Sequence, residues 1–84
     1  MPIISRFYGV LIKMFFIPSE HNPPHIHALY GEYSGIIDIK TQKMLAGDLP
    51  QKALALVQEW AKTHKEELLQ MWDTQDIHEL PPLI

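Results

Sequence analysis

The chain has 84 residues, of which 46% are hydrophobic and 20% are charged, a composition typical of one small globular domain rather than of a disordered segment. It contains no cysteine, which excludes a disulfide framework and a metal site built from thiolates. Its net charge of −3 disfavours a general attraction to nucleic acid. The N-terminus lacks the pattern of a signal peptide, and no apolar run is long enough to span a bilayer. We therefore expect a cytoplasmic protein that is not inserted in a membrane.

Three or four short strands are predicted after a lead-in over residues 1–6. Residues 7–17 are rich in β-branched and aromatic side chains, which favours a strand. Both of its faces are mostly apolar, as expected of a central strand. Short turns then separate the remaining predicted strands, so an antiparallel meander over residues 7–47 is the simplest topology. These later strands are predicted over residues 25–30, 33–40 and, more briefly, 43–46.

One long helix is predicted over residues 48–72. Asp48 stands as the N-cap, Pro50 lies in the first turn, and Gln51 follows three residues after the cap, which is a capping-box pattern. Apolar residues then recur at the helical period, and Trp60 is expected in the core. At about 1.5 Å per residue such a helix is about 36 Å long. Residues 73–84 lose the period and contain a Pro-Pro pair, which predicts an extended tail.

The expected fold is therefore α+β: one domain over residues 1–84, with a three- or four-stranded antiparallel β-meander packed by one long C-terminal α-helix. A single helix covers only one face of the sheet, which leaves Leu11, Phe15 and Ile17 on the other. We expect this apolar surface to be buried in a homodimer, through the sheet edge or the open sheet face, or by the Leu80–Ile84 tail folding back.

The segment richest in side chains that could bind a ligand or catalyse a reaction is EHNPPHIHALYGEY, residues 20–33. Two prolines stiffen the chain directly before His25. In a strand, His25 and His27 share one face, with Ile26 and Ala28 on the other. We expect the two imidazoles within about 7 Å of each other by strand spacing, with His25 the more exposed because it is nearer the loop. Their hydrogen-bond partner is expected among Asp38, Glu32 and Tyr33, in that order.

Three roles remain open for this histidine pair. The pair could supply two imidazole ligands to a divalent transition metal. It could also provide the general base and general acid of phosphodiester cleavage, since an ordinary imidazole titrates near neutral pH. The third role is structural: the imidazoles bond to neighbouring groups and hold the loop against the sheet. The metal would need a third ligand from His21, Glu20, Glu32, Asp38 or His64, and the cleavage would need charge stabilisation from Tyr30, Tyr33, Lys13 or Arg6.

The candidate site residues follow from these roles. Candidate catalytic residues are His25, His27 and Tyr33, and candidate metal ligands are His25 and His27. Asp38 could orient a histidine through its ring N–H or simply face solvent. Trp72 is a candidate partner contact, because large aromatic residues are enriched at interface anchors, whereas His64 is expected to be a satisfied, half-buried residue. The candidate binding residues are His21, Asn22, Glu32, Asp38 and Trp72.

The order of short motifs along the chain, FYG, MFF, HNPPHIHA, YGEY, IDI, GDLP, VQEW and HKEEL, ending at Trp72, resembles a small bacterial family known only as the uncharacterised domain number 4160. The resemblance covers residues 6–72. It implies an α+β domain whose gene lies next to the gene of a small partner protein, in a toxin–antitoxin-like or mobile gene pair. The family has no agreed activity.

We therefore expect a protein-interaction module whose partner is a small protein encoded nearby. The first alternative is a ribonuclease-type toxin that uses His25 and His27, although the net charge disfavours RNA. The second alternative is a metal-binding domain built on the same two residues.

Overall fold

The computed structural model describes residues 3–14 and 23–83 of the chain. They form one antiparallel sheet whose strands lie in chain order, followed by two helices. The α+β class and the antiparallel meander are confirmed, with more elements than predicted. The elements are β1 (Ile3–Phe7), β2 (Val10–Lys13), β3 (His25–Tyr30), β4 (Tyr33–Asp38), β5 (Met44–Asp48), α1 (Gln51–Thr63) and α2 (Lys65–Thr74).

The predicted strand over residues 7–17 is wrong, because the chain turns inside it. Tyr8 and Gly9 form a two-residue turn with φ values of 47° and 81°, the left-handed geometry that tight hairpins require. The supposed lead-in before this turn is strand β1, and Phe7 pairs with Val10 across the hairpin. Tyrosine rarely adopts positive φ, so the Tyr-Gly pair gave no turn signal. Residues 15–17 of the predicted strand lie outside the described part of the chain.

Strand β3 has the predicted bounds, whereas β4 ends earlier than predicted, at Asp38. The Asp38 carboxylate accepts hydrogen bonds from the backbone N–H groups of Lys40 (2.7 Å) and Thr41 (3.1 Å). A side chain that bonds the backbone two and three residues later bends the chain away from the strand. Strand β5 then starts at Met44 and runs to Asp48.

The predicted helix start at Asp48 is wrong. Asp48 is the last residue of β5 and pairs with Ser34 of β4, so sheet pairing holds it outside the helix. Helix α1 instead begins at Gln51 after Pro50 and has no side-chain cap hydrogen bond. Proline suits this position, because its fixed φ is already compatible with a helix and it lacks an N–H that would need a partner.

The single long helix is also wrong, since the helical path breaks at His64. This residue has φ −107° and ψ 19°, outside helical geometry, and its N–H bonds the Trp60 carbonyl. Helix α2 begins directly afterwards and extends to Thr74, two residues beyond the predicted end. Leu68 and Met71 of α2 are buried in the same core as the apolar residues of α1. The burial of these two side chains stabilises the course of the chain after His64. Local periodicity does not predict that course.

The core lies between α1, α2 and one face of the sheet. At its centre the fully buried Trp60 stacks on Phe7, with ring centroids 5.7 Å apart. Alternate strand residues Ile12, Ile26 and Ile37 point into the same core and are fully buried, as the alternation of each strand predicts.

The C-terminal tail, residues 75–83, has no regular secondary structure but folds back on the domain. Leu80 is buried in the core, and its N–H donates to the Ile4 carbonyl at 2.7 Å. The Trp60 indole N–H donates to the Pro81 carbonyl at 2.9 Å. The tail does fold back, but it does not cover the far sheet face as expected: Leu80 joins the core beside β1, while Leu11 on the far face stays partly exposed. The homodimer remains a prediction, and Phe15 and Ile17 of its expected surface lie outside the described residues.

Candidate functional site

The two histidines of β3 lie side by side, as their spacing predicts. Their ring centroids are 5.2 Å apart and the rings are tilted by 57°. Ile26 and Ala28, which alternate with them, are fully buried in the core on the other side of the sheet. The shared face and the separation below about 7 Å are thus confirmed.

His25 is the buried member of the pair, with only 6% of its surface exposed. Its Nδ1 lies 2.9 Å from the Pro23 carbonyl oxygen. Because a carbonyl only accepts, Nδ1 carries the proton, and Nε2 is the acceptor in the neutral ring. The Trp72 ring of α2 packs against the imidazole at a centroid distance of 4.9 Å. The expectation that His25 is the more exposed histidine is therefore wrong, because α2 brings a large aromatic side chain over it.

His27 is partly exposed and stands directly opposite Lys13 on β2 and Ile36 on β4. Partial burial lowers the pKa of His27 below its usual value, and the neighbouring His25 lowers the pKa further by charge repulsion. The imidazole of His27 is therefore neutral at neutral pH. A neutral ring can accept a proton or bind a metal, and it adds no charge to its surroundings.

Asp38 is paired with His25 across β3 and β4 and is buried. Its carboxylate nevertheless bonds within the turn that follows β4, where it accepts the hydrogen bonds from Lys40 and Thr41 given above. The Ile39 N–H donates to the Pro24 carbonyl at 3.0 Å, so this turn also holds the Pro-Pro segment that leads into β3. Asp38 thus helps to position His25 through the backbone, while the hydrogen bond described for the His25 ring goes to Pro23.

The structure does not bring Tyr33 or Glu32 to the histidines. Both lie at the β3–β4 turn and are exposed, and Tyr33 pairs with Tyr30 at the opposite end of β3 from His25. Five residues of strand correspond to about 16 Å. Tyr33 also alternates to the other face of the sheet from His25, so a joint catalytic role for the two has no geometric basis here. His21 and Asn22 lie outside the described residues.

Trp72 completes the site in a way that the sequence did not indicate. The sequence predicts Trp72 as a candidate partner contact, and the structure places it partly buried against the core and on His25. The two residues lie far apart in the chain, and the packing of α2 on the domain brings them together. No local sequence signal identifies such a contact.

The described contacts of His64 are with residues other than His25 and His27. Its ring packs on Trp60 at a centroid distance of 5.0 Å, and its Nδ1 lies 3.3 Å from a Glu67 carboxylate oxygen. The expectation of a satisfied, half-buried histidine is confirmed. Within residues 3–14 and 23–83, no group of three or more His, Asp or Glu side chains is arranged to hold a metal ion. Two further candidate ligands, Glu20 and His21, lie outside these ranges.

The side of the sheet that carries His27 is not covered by α1. We call it the open face, and it consists of the outward residues of β1 to β5. Strand register places Lys13 beside His27 and Leu11 beside Leu29, with Arg6 beside Leu11. Four of its aliphatic members are partly exposed: Ile3, Leu11, Leu29 and Ile36.

These features define a class of protein: a small α+β domain with α1 on one face of an antiparallel sheet and a histidine pair on the other, where Trp72 of α2 packs on His25. The chain belongs to the family described as a domain of unknown function (DUF4160), whose model matches residues 9–73. The matched segment contains both histidines and Trp72, and it excludes β1 and the tail. No curated protein and no solved structure matches the chain. None of the helices in the described part of the chain is long and apolar enough to cross a membrane.

Proposed function

We propose that this domain is a protein-interaction module that docks a partner on the open face, around His27. The observation that carries the proposal is the combination of partly exposed aliphatic residues with a partly exposed imidazole, His27, on a face that α1 does not cover and on which Trp72 of α2 packs over His25. Aliphatic side chains at the centre of a surface with polar groups around them are typical of docking sites.

The charges around the open face suggest the chemistry of the partner. Arg6 and Lys13 both lie on this face, and Asp48 stands at its far edge on β5. Four of the seven Lys and Arg residues precede Asp48, whereas seven of the ten Asp and Glu residues lie from Asp48 onward. The sheet is therefore less acidic than the helices and tail. We infer a partner segment with aliphatic and acidic side chains, since complementary charge steers association.

This proposal is preferred over catalysis by the histidine pair. Acid–base cleavage by two histidines requires both rings to reach the substrate. His25 is buried under Trp72 and bonded to Pro23, so the two rings cannot both reach a substrate. The closeness of Lys13 to a neutral His27 favours a ribonuclease as the second candidate, with His27 as base and Lys13 stabilising developing charge.

Co-expression with the products of the adjacent genes tests the proposal, since the resemblance implies a partner encoded nearby. We expect one of them to co-purify with the wild-type chain. Lys13→Glu should weaken that binding at least tenfold, whereas Lys62→Glu, the same charge change on the exposed surface of α1, should leave it unchanged. Circular dichroism of both variants verifies folding.

The result separates the two candidate functions. Loss of binding in Lys13→Glu and in His27→Ala, with no RNA cleavage by the wild type, supports docking on the open face. RNA cleavage that disappears in His27→Ala would favour the ribonuclease instead. Equal binding by the Lys13→Glu and Lys62→Glu variants would show that the partner docks elsewhere.

A further inference from the structure

We propose that the three tyrosines of the chain form a second docking surface, which binds an arginine-containing segment of a partner protein. We call this surface the tyrosine end. It consists of Tyr8, Tyr30, Glu32 and Tyr33, in and beside two tight turns at one end of the sheet. It is separate from the open face, because strand alternation points Tyr30 and Tyr33 to the opposite side of the sheet from His27. The inference therefore does not depend on the proposed function.

Strand register brings the three rings to the same end of the sheet. Tyr8 lies in the turn that joins β1 to β2, and Val10, which follows this turn, pairs with Tyr30. Tyr30 also pairs with Tyr33 across the β3–β4 hairpin. A Cβ atom at Gly9 would lie 3.4 Å from Cε1 of Tyr30, so the Tyr30 ring lies against the first turn. The three tyrosines are therefore neighbours in space.

The exposure of these rings favours a binding role over a structural one. Tyr8 exposes 62% of its surface and Tyr33 exposes 45%, whereas Tyr30 is partly buried. Tyr8 also has a φ of 47°, a left-handed conformation that is costly for a tyrosine. Packing within the chain gains little from so exposed a ring, so it does not explain a tyrosine at a strained position. Backbone strain of this kind is concentrated at functional sites, and tyrosines are enriched at protein interfaces.

The charges at the tyrosine end favour a cationic partner. Glu32 is exposed and lies in the turn between Tyr30 and Tyr33. Asp48, at the edge of the open face, is exposed at the same end of the sheet. Neither turn contains a lysine or arginine. A guanidinium group can bond a carboxylate and stack on an aromatic ring at the same time, so arginine fits this surface better than an apolar side chain does.

A protein segment, rather than nucleic acid, is the occupant that these charges favour. Aromatic rings can also stack on nucleotide bases, but Glu32 and the net charge of −3 repel a phosphate backbone. Neighbouring strands are about 4.8 Å apart, so the tyrosine end spans about 14 Å from β1 to β4. About four residues of extended peptide have this length. One short segment can therefore contact Tyr8 and Tyr33 together.

The probe is a four-residue synthetic peptide of alternating glycine and arginine, with blocked ends. Its control has citrulline in place of both arginines, which removes the charge and keeps the shape. In an NMR titration of the full chain, the arginine peptide should shift the ring signals of Tyr8 and Tyr33. The citrulline peptide should bind at least fivefold more weakly.

Two pairs of variants locate the binding surface. Tyr8→Asn and Glu32→Gln should each weaken binding of the arginine peptide at least fivefold. Leu45→Asn, at an exposed apolar position at the opposite end of β5 from Asp48, should leave the affinity unchanged. Glu66→Gln, on the exposed surface of α2, should also leave it unchanged. Thermal unfolding verifies that the variants fold, and Tyr8→Asn suits the test because it relieves backbone strain.

The proposal is overturned if the arginine peptide leaves the tyrosine ring signals unchanged, or if it binds the wild type and the Tyr8→Asn variant equally. Equal affinity of the citrulline peptide would overturn it as well, because charge would then play no part in recognition. Shifts of the same signals by a single-stranded oligonucleotide would identify nucleic acid as the occupant instead. Shifts on concentrating the chain alone would identify a second copy, and either result would overturn the proposal.

Discussion

Two histidines with nearly the same local sequence have different roles because their surroundings differ. His25 donates to Pro23 and packs under Trp72, whereas His27 stands beside Lys13 on the open face. A buried ring with a backbone partner stabilises a local conformation, while a partly exposed neutral ring can meet a ligand. In our proposal, His25 is a positioning residue and His27 is the residue that contacts a partner.

The lowered pKa of His27 predicts how the stability depends on pH. Below its ordinary value of 6.5, the unfolded chain binds a proton at His27 that the folded protein does not yet bind. The free energy of unfolding should therefore fall as the pH drops from about 6.5 toward the lower pKa of the folded state, and this site has no effect above that range.

Urea unfolding of wild type and His27→Gln across pH 5 to 8 measures this contribution. We expect the wild type to lose more stability than the variant between neutral and mildly acidic pH. Parallel curves for the two proteins would show that the pKa of His27 does not change on folding.

Two aspartates provide a second prediction at the residue scale. Asp38→Ala should lower the free energy of unfolding by about 1–3 kcal/mol, because it leaves the N–H groups of Lys40 and Thr41 without their acceptor. Asp48→Ala should change it by no more than about 0.5 kcal/mol, since Asp48 is exposed and caps no helix. Chemical denaturation compares the two; a large loss only in Asp48→Ala would mean that α1 starts earlier than the structure shows.

Strand register is what assembles the site from separate elements. It places Lys13 and Ile36 on either side of His27, and Asp38 opposite His25. A shift by one residue in any strand would move these side chains to the other face. The tight turns at Tyr8-Gly9 and Gly31-Glu32 help to fix this arrangement, because they set the register of β1 with β2 and of β3 with β4.

The Tyr8-Gly9 turn predicts a stabilising substitution. Tyr8 is 62% exposed and has a φ of 47°, a conformation that asparagine adopts at lower cost than tyrosine. Tyr8→Asn should raise the free energy of unfolding by about 0.5–1 kcal/mol. Thermal unfolding provides the measurement, with Tyr33→Asn, at an exposed strand position without positive φ, as the control. A loss of stability in Tyr8→Asn would indicate that the tyrosine ring makes contacts that outweigh its backbone strain.

At the scale of the whole molecule, the fold has one protected face, one protected edge and one open face. The helices cover the core face, and the tail covers the outer edge of β1 through Leu80 and Pro81. Covering an edge in this way prevents unwanted strand pairing. The open face, where Trp72 of α2 packs on His25 and His27 stays partly exposed, is the docking surface of our proposal.

The anchoring of the tail predicts unequal costs for two core truncations. Ile37→Ala, in a central strand, should lower the free energy of unfolding by about 2–5 kcal/mol. Leu80→Ala should cost less, below about 2 kcal/mol, because the tail can detach while the remaining core stays folded. Both residues are buried, so urea unfolding compares them directly. Equal losses would indicate that the tail unfolds only together with the domain.

Local sequence patterns were sufficient for the α+β class, the bounds of β3, the shared face of His25 and His27, and the core position of Trp60. Each depends on a short-range period or on the fixed geometry of neighbouring residues. The hairpin at Tyr8, the start of α1 after Asp48 and the break at His64 depend instead on pairing and burial between distant segments. The same is true of the Trp72 ring over His25. Long-range packing decided which histidine is buried, because the free energy of burying Trp72 and Leu80 depends on residues that no local window contains.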